Sequence, residues 1–184
     1  MGRNKALTAI LLATLCAATL PAQNPAMGGM QMGGGMQMGH SDKPAPPAGP
    51  LKITYGDKSA EYTAAALSAM PQTKVNVYNS HAKANETYAG VPLMDLLAKL
   101  GVPDKPEGKQ FRIYIVAAGS DGYEVTYSIG EVAPDVHDAV VIVADTENGQ
   151  PIAADGPLKL VATGEKRPAR WVRNLVAVRV LTAD

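Results

Sequence analysis

The amino-acid sequence predicts an α+β domain with a mixed, largely antiparallel sheet and a few short helices. From residue 51 onward, short segments of alternating apolar and polar residues follow one another, and this period of two is typical of half-buried strands. Turn pairs such as Gly56-Asp57 and Asn148-Gly149 separate several of these segments, which favours hairpins. Only a few stretches have the apolar spacing of a helix, so strands should outnumber helices.

The predicted strands are short, and two of them should form a hairpin. Ser120-Asp121-Gly122 supplies the turn between segments 111–117 and 123–127, because Asp and Gly accept the backbone angles of a tight turn. The predicted strands are 51–55, 60–62, 74–78, 111–117, 123–127, 140–144, 158–162 and 175–181.

Short helices are predicted between some of these strands. Thr63 can cap a helix that ends before Pro71, since proline cannot continue a helix. Pro92 suits a first helical turn, and the leucines that follow it lie on one face until Gly101 ends the helix. Residues 129–133 are predicted to form a single helical turn.

Residues 1–22 have the pattern of a cleavable signal peptide. Arg3 and Lys5 precede an apolar run at 6–19, which is shorter than the roughly 20 residues of a membrane-spanning helix. The Pro-Ala pair at 21–22 then suits cleavage. We therefore expect a periplasmic or secreted protein with no membrane anchor after cleavage; a retained N-terminal anchor is the alternative.

Cysteine usage and charge exclude several classes of function. The one cysteine, Cys16, lies within the predicted signal peptide, so a mature chain would have no disulfide, no nucleophilic thiol and no thiolate ligand. The sequence has 17 basic and 17 acidic residues, and the loss of Arg3 and Lys5 would leave the mature chain slightly acidic. This balance gives no support to nucleic-acid binding.

Residues 23–50 are predicted to be a disordered tether, and residues 51–184 to be the folded domain. The tether has no β-branched residue and no Phe, Tyr or Trp, so it cannot bury enough apolar surface to fold. Its thioethers and one imidazole form a combination suited to Cu(I). The candidate copper ligands are Met30, Met32, Met36, Met38 and His40. A low-complexity linker that binds no metal is the alternative.

A group of cations is the main candidate site in the folded domain, since the sequence has no nucleophile elbow, phosphate-binding loop or zinc motif. Four basic residues lie between the last two predicted strands, at Lys166, Arg167, Arg170 and Arg173. They can hold a phosphate group, because guanidinium forks match its oxygens. The alternative is a solvated loop on which Trp171 packs inward.

Three further residues are candidates for a ligand site. Asp121 and Tyr123 lie on the predicted hairpin, and His81 lies in a polar loop. Asp-Gly is also a favoured turn pair for conformational reasons alone, and a lone loop histidine is more often a plain loop residue than a ligand.

Several motifs, taken in order, resemble the sulfite-oxidase-type molybdopterin-binding domain family. Segment 88–101 begins Tyr-Ala-Gly-Val-Pro-Leu and resembles the family's aromatic-x-Gly-Val-Pro-Leu motif. The hairpin at 121–123 and the later segments 148–152, 156–161 and 170–172 resemble family motifs in the same order. The resemblance covers nearly all of 51–181, and it implies an α+β fold with a β-grasp-like motif.

The resemblance also implies a cofactor, in which a pterin dithiolene holds molybdenum and basic residues hold a terminal phosphate. The phosphate role would fall on Arg167 and Arg170, which match the family's basic-x-x-basic-Trp spacing. Further candidate cofactor contacts are Lys166, Trp171, Asp121, Tyr123 and His81. The family's molybdenum-ligating cysteine lies on a loop before the Gly-Val motif, whereas residues 75–88 contain no cysteine.

Three functions are therefore open at the level of sequence. The first is an exported domain that binds a molybdopterin-type cofactor, or a related anionic or phosphate-bearing small molecule, without the cysteine. The second is a molybdopterin-dependent oxidoreductase with a redox partner, whose metal is held without cysteine, with His81 nearby. The third is a periplasmic copper-handling protein that uses its Met-rich arm.

Overall fold

The computed structural model describes residues 49–184, which form ten strands, three short α-helices and two 3-10 turns. The strands are β1 (Leu51–Tyr55), β2 (Lys58–Tyr62), β3 (Thr73–Asn79), β4 (Ala84–Pro92), β5 (Ile113–Gly119), β6 (Glu124–Ser128), β7 (Val141–Glu147), β8 (Gln150–Pro151), β9 (Lys159–Ala162) and β10 (Leu175–Thr182). The α-helices are α1 (Ala64–Ser68), α2 (Leu93–Ala98) and α3 (Ile129–Val132), and the 3-10 turns are Gly108–Arg112 and Pro168–Arg170. This confirms the predicted α+β class.

The first sheet contains five strands in the order β2-β1-β10-β5-β6. The pair of β1 and the central strand β10 is parallel, with Lys52 opposite Ala177. The pairs β1–β2, β10–β5 and β5–β6 are antiparallel. The hairpin predicted around Ser120-Asp121-Gly122 is therefore confirmed, and it lies at one edge of this sheet.

The second sheet is antiparallel, with the order β3-β4-β7-β8 and with β9 also paired to β7. Its longest strand, β4, was not predicted, because its polar residues at 85–87 and Gly90 interrupt the apolar alternation. The prediction of a strand from residue 111 was also wrong at its start. Residues 111 and 112 belong to the 3-10 turn Gly108–Arg112, and β5 begins at Ile113.

Gly90 is required because the β7 backbone leaves no room for a side chain at this position of β4. A Cβ atom at this position would lie 2.2 Å from the carbonyl oxygen of Val143 and 2.5 Å from the Cα of Ala144. The register between the two strands shifts at the same point, between Ala89 and Gly90. Only glycine permits so close a backbone approach, which gives a physical reason for the glycine in the Gly-Val-Pro-Leu segment.

One hydrophobic core joins both sheets and the helices. It contains Ile53 and Ile115 from the first sheet and Leu160 from the second, all fully buried. Helix α1 begins at a Thr63 cap, whose hydroxyl accepts from the backbone N–H of Ala66 at 3.1 Å, as the sequence predicts. Helix α2 packs its buried leucines against β4 and β7. Burial of each such leucine stabilises the fold by about 1.5–3 kcal/mol.

The helices between residues 49 and 184 are short, and none is long and apolar enough to cross a membrane.

Candidate functional site

The basic segment predicted from the sequence lies on and beside the 3-10 turn Pro168–Arg170, between β9 and β10. Trp171 follows the turn and fixes it to the core. Its ring is buried, and its Nε1 donates a hydrogen bond to the carbonyl of Ala162 at 2.9 Å. The next residue, Val172, exchanges two backbone hydrogen bonds with Leu160 of β9. The backbone of the turn is therefore well fixed.

The β5–β6 hairpin meets this turn through two tyrosines. The Tyr123 hydroxyl donates to the carbonyl of Ala169, and the Tyr127 hydroxyl donates to the carbonyl of Arg170 at 2.6 Å. Asp121 acts within the hairpin, where its Oδ1 accepts from the backbone N–H of Tyr123 at 3.0 Å. The structure thus brings Tyr123 to the basic turn and gives Asp121 a turn-forming contact.

Arg170 is engaged by two carboxylates and one aromatic ring. Its Nη1 lies 2.8 Å from Glu131, and its Nε and Nη2 both donate to Glu165. The guanidinium carbon also lies 4.6 Å from the centre of the Tyr127 ring, within the range of a cation–π interaction. Partial burial lowers the pKa of Arg170, but the hydrogen bonds that it donates to Glu131 and Glu165 outweigh this effect and leave the pKa raised. Arg170 is therefore a structural cation in this state.

Glu131 is held from a second side by the start of α3. The backbone N–H of Ser128 donates to its Oε2 at 2.8 Å, and the Ser128 hydroxyl donates at 3.0 Å, which forms a capping box. Partial burial raises the pKa of the Glu131 carboxyl, but the bonds from Ser128 and Arg170 hold that pKa below its ordinary value. Glu131 is thus ionised and fixed in place.

Lys166 and Arg167 differ from Arg170 because both side chains face solvent. Neither forms an ion pair with any residue between 49 and 184. Arg173, beyond Trp171, is also exposed, and its Nη1 lies 3.7 Å from an oxygen of Asp155. The basic segment therefore presents two adjacent cations whose charge is not neutralised by the part of the chain that the structure describes.

A buried polar network under the basic turn was not predicted. Lys159 of β9 is 5% exposed, and its Nζ donates to Asp155 at 2.6 Å and to the Tyr88 hydroxyl at 2.9 Å. The same Nζ lies 4.8 Å from the centre of the Tyr88 ring and 5.5 Å from that of Trp171. The buried cation is thus compensated by a carboxylate and two aromatic faces.

The network continues to the end of the β3–β4 hairpin. The Tyr88 hydroxyl donates to Glu86 at 2.7 Å, and the Asn79 amide donates to both oxygens of Glu86. Burial raises the pKa of Tyr88 far above its ordinary value, and its bond to Glu86 raises it further. Asn79 also accepts from the backbone N–H of His81. His81 itself is exposed. The hydrogen-bonded chain therefore runs from its turn to Lys159 and Asp155, and Asp155 lies 3.7 Å from Arg173 of the basic segment.

The candidate copper ligands Met30, Met32, Met36, Met38 and His40 lie outside the residues that the structure describes. Within residues 49–184, no group of three or more His, Cys, Asp or Glu side chains is placed to hold a metal ion. Copper binding by the arm stays a prediction.

The fold agrees with the comparisons to known proteins. The model of the family described as "Oxidoreductase molybdopterin binding domain" matches residues 56–184. The chain belongs to this oxidoreductase molybdopterin-binding domain family, as the sequence motifs suggested.

One solved structure with a similar fold is that of the sulfane dehydrogenase SoxCD from Paracoccus pantotrophus, with a TM-score of 0.55 and 24% sequence identity. The match covers 71% of this chain but 37% of that chain, so the likeness concerns the fold of one part of that protein. A DNA primase small subunit from Thermoplasma volcanium is 33% identical over 82 residues, which are 45% of this chain and 23% of the primase. The chain thus spans well under half the length of either protein.

The residues in the domain fit one end of a molybdopterin-type cofactor and not the other. The sequence has one cysteine, Cys16, so residues 49–184 offer no thiolate for molybdenum. Lys166 and Arg167, in contrast, suit the phosphate end, because they are adjacent, exposed and free of ion pairs with the described residues. The donor set therefore matches an anion and does not match a thiolate-bound metal centre.

Proposed function

We propose that this domain binds an anionic, phosphate-bearing small molecule of the molybdopterin type, at the rim formed by Lys166 and Arg167. One observation carries the proposal: two neighbouring cations project to solvent from a segment whose backbone is fixed by buried and hydrogen-bonded residues. Since the chain belongs to the molybdopterin-binding domain family, a molybdopterin-type ligand is the class that we propose.

The rigidity of the turn favours binding of an anion. Trp171, Tyr123 and Tyr127 hold the backbone of the turn before any ligand arrives, so little conformational entropy is lost on binding. Arg167 offers a planar fork to two phosphate oxygens, whereas Lys166 adds a compact charge. The binding energy should come mainly from these two charge-assisted contacts.

The function that we assign to this domain is ligand binding, without oxidoreduction by the domain alone. Since residues 49–184 contain no cysteine, we assign no step of molybdenum chemistry to the domain. Its relation to SoxCD rests on fold, so the activity of that dehydrogenase is not transferred.

We also propose that the protein acts in the periplasm or outside the cell, because residues 1–22 carry the charge and hydropathy pattern of a signal peptide. Fractionation of the native host, followed by N-terminal sequencing of the purified protein, tests this. An N-terminus at Met1 or Gly2 in the cytoplasmic fraction would contradict it.

Calorimetric titration of the full chain with inorganic pyrophosphate and with a pterin phosphate tests the binding proposal. Lys166→Ala and Arg167→Ala should each weaken binding by roughly ten- to a hundredfold, the value of one charge-assisted contact. Their thermal stability should stay near that of the wild type, since both side chains are exposed.

Lys99→Ala is the matched control, because Lys99 is an exposed lysine at the end of α2. It should bind both probes as the wild type does. Equal weakening in Lys99→Ala, or wild-type affinity in both Lys166→Ala and Arg167→Ala, would show that the basic turn is ordinary surface.

A further inference from the structure

The two carboxylates on Arg170 are held in different ways. Glu131 accepts from Arg170 and also from the backbone and hydroxyl of Ser128. Glu165 accepts from Arg170 alone among the described residues, and both of its bonds, from Nε and from Nη2, reach the same oxygen, Oε1. Glu131 is therefore fixed by its own helix, whereas Glu165 depends on the guanidinium.

The contact with Glu165 does not use the full capacity of the arginine edge. The Nε and Nη2 donors of a guanidinium lie parallel and match two oxygens of one anion. Glu165 fills this edge with one oxygen and one negative charge. A phosphate group would supply two oxygens and a larger charge at the same edge.

Glu165 also lies next to the proposed anion site in the sequence. Lys166 and Arg167 follow it directly, and both face solvent. The Arg170 and Glu165 side chains are themselves 37% and 22% exposed, so their contact is reachable from the outside. Lys166 and Arg167 are therefore close in sequence to a third cation, Arg170, whose Nε–Nη2 edge is held by a single carboxylate oxygen.

We infer that Glu165 is an internal competitor for Arg170, and that a phosphate-bearing ligand displaces it. This inference rests on the proposed function and adds a specific device to it. In the free protein Glu165 occupies the Nε–Nη2 edge of Arg170. In the bound protein the ligand takes the Nε–Nη2 edge, Glu165 turns to solvent, and Glu131 stays on Nη1. The wild-type affinity is then weakened by the free energy of the Arg170–Glu165 contact.

The test compares two variants, each of which neutralises one of the two carboxylates that pair with Arg170. Glu165→Gln should strengthen pyrophosphate binding by roughly tenfold, because the ligand no longer competes with a carboxylate. Glu131→Gln should change the affinity by less than about threefold, since Glu131 stays in place when the ligand binds. Both are measured by calorimetry on the full chain, beside the wild type.

Each outcome of this test decides something. Equal gains in the two variants would mean that the effect is general electrostatics, and would overturn the displacement. Wild-type binding with no gain in Glu165→Gln would overturn the displacement and leave the proposed function intact. Binding by Glu165→Gln but not by the wild type would support both, with Glu165 as an inhibitory contact. No binding by any of the three would overturn both.

A substitution of Arg170 checks that the ligand binds the guanidinium edge that Glu165 leaves. Arg170→Lys keeps the positive charge but lacks the paired donors, so adding Glu165→Gln to it should give less than half of the gain seen on the wild-type background. A full gain in the double variant would show that Arg170 is not involved. Circular dichroism and a melting curve for each variant establish that it is folded.

Discussion

The amino group of Lys159 donates a hydrogen bond to the hydroxyl of Tyr88 at 2.9 Å, and this bond bridges two strands that flank β7. Lys159 lies on β9 and Tyr88 on β4. Trp171 completes the arrangement, since its ring meets that of Tyr88 edge to face with centroids 5.6 Å apart. A buried cation, Lys159, therefore packs beneath the basic turn, against the ring of Trp171.

Removal of this buried cation should be strongly destabilising. Lys159→Met keeps much of the side-chain volume, but it leaves Asp155 with only the more distant Arg173 and leaves the buried Tyr88–Glu86 pair without its positive partner. Such a loss typically costs about 3–5 kcal/mol. Urea unfolding followed by circular dichroism measures it. Arg179→Ala breaks an exposed pair with Glu124 and should cost less than about 1 kcal/mol; similar costs for the two variants would contradict the network's role.

Two glycines give a matched pair of alanine substitutions. Gly90→Ala would place a Cβ 2.2 Å from the Val143 carbonyl oxygen, so β4 and β7 must separate, and we expect a loss of several kcal/mol, or no soluble protein. In Gly130→Ala, within α3, the nearest neighbours of the new Cβ would be side-chain atoms of Phe111 and Val136 at 3.6 Å, an ordinary van der Waals distance. This variant should be neutral or stabilise by up to about 1 kcal/mol, because alanine favours helix. Thermal melts of both variants measure this, and a Gly130→Ala variant less stable than Gly90→Ala would contradict the expectation.

Stability should fall at alkaline pH partly because of Tyr127. Burial raises the pKa of Tyr127 above its ordinary value of 10.0, and the charge of Arg170 lowers it only in part. Above pH 10 the unfolded chain therefore loses this proton while the folded chain keeps it, so folding stability falls as pH rises. The slope for one such group is about 1.4 kcal/mol per pH unit.

Tyr127→Phe isolates this contribution. Between pH 7 and 9 it should cost only the hydrogen bond to Arg170, about 1 kcal/mol, with no dependence on pH. Above pH 10 the variant should lose stability less steeply than the wild type. Parallel alkaline stability curves for the two proteins would mean that Tyr127 ionises in the folded state at the same pH as in the unfolded chain, and would contradict the raised pKa.

Glu131 should contribute in the opposite range of pH. Its folded-state pKa lies below the ordinary value of 4.5, because the bonds from Ser128 and Arg170 outweigh partial burial. The stabilisation is therefore present above pH 4.5 and is lost as pH falls through the folded-state pKa. The stability difference between wild type and Glu131→Gln, under about 1 kcal/mol for so exposed a pair, should be largest near pH 7 and vanish in acid. A constant difference from pH 7 to pH 3 would argue against an ionised Glu131.

The sequence predicted the local elements better than the polar contacts between them. The hairpin at 120–122 and the Thr63 cap depend on neighbouring residues, so their chemistry is visible in the pattern. Glu86 is different, because its burial on β4 depends on Asn79 and on Tyr88 beside it. A charged residue suggests an exposed position unless its partners are known, so the polar residues 85–87, with Glu86 among them, were one reason why β4 was not predicted.

At the candidate site, the position of the basic residues was visible in the sequence, but their long-range partners were not. Lys166 and Arg167 are exposed cations on a loop, as four basic residues in a short segment indicate. The engagement of Arg170 was not predictable, because Glu131 is far from it in the sequence and reaches it only through α3. Lys159 left one overlooked signal, since it is a lone charge within the apolar run 158–162, where a buried partner is needed.

The parallel pair of β1 and β10 determines when the domain can fold. Lys52 is opposite Ala177, so nearly the whole domain must be synthesised before this contact can form. β10 is also the only link between the β1–β2 and β5–β6 hairpins in the first sheet as described for residues 49–184. Closing so long a loop costs chain entropy before any long-range contact is gained, and such topologies fold slowly. A chain that ends before residue 175 therefore has two separate hairpins in place of the five-stranded sheet, and cooperative folding of this sheet must wait until the last strand is available.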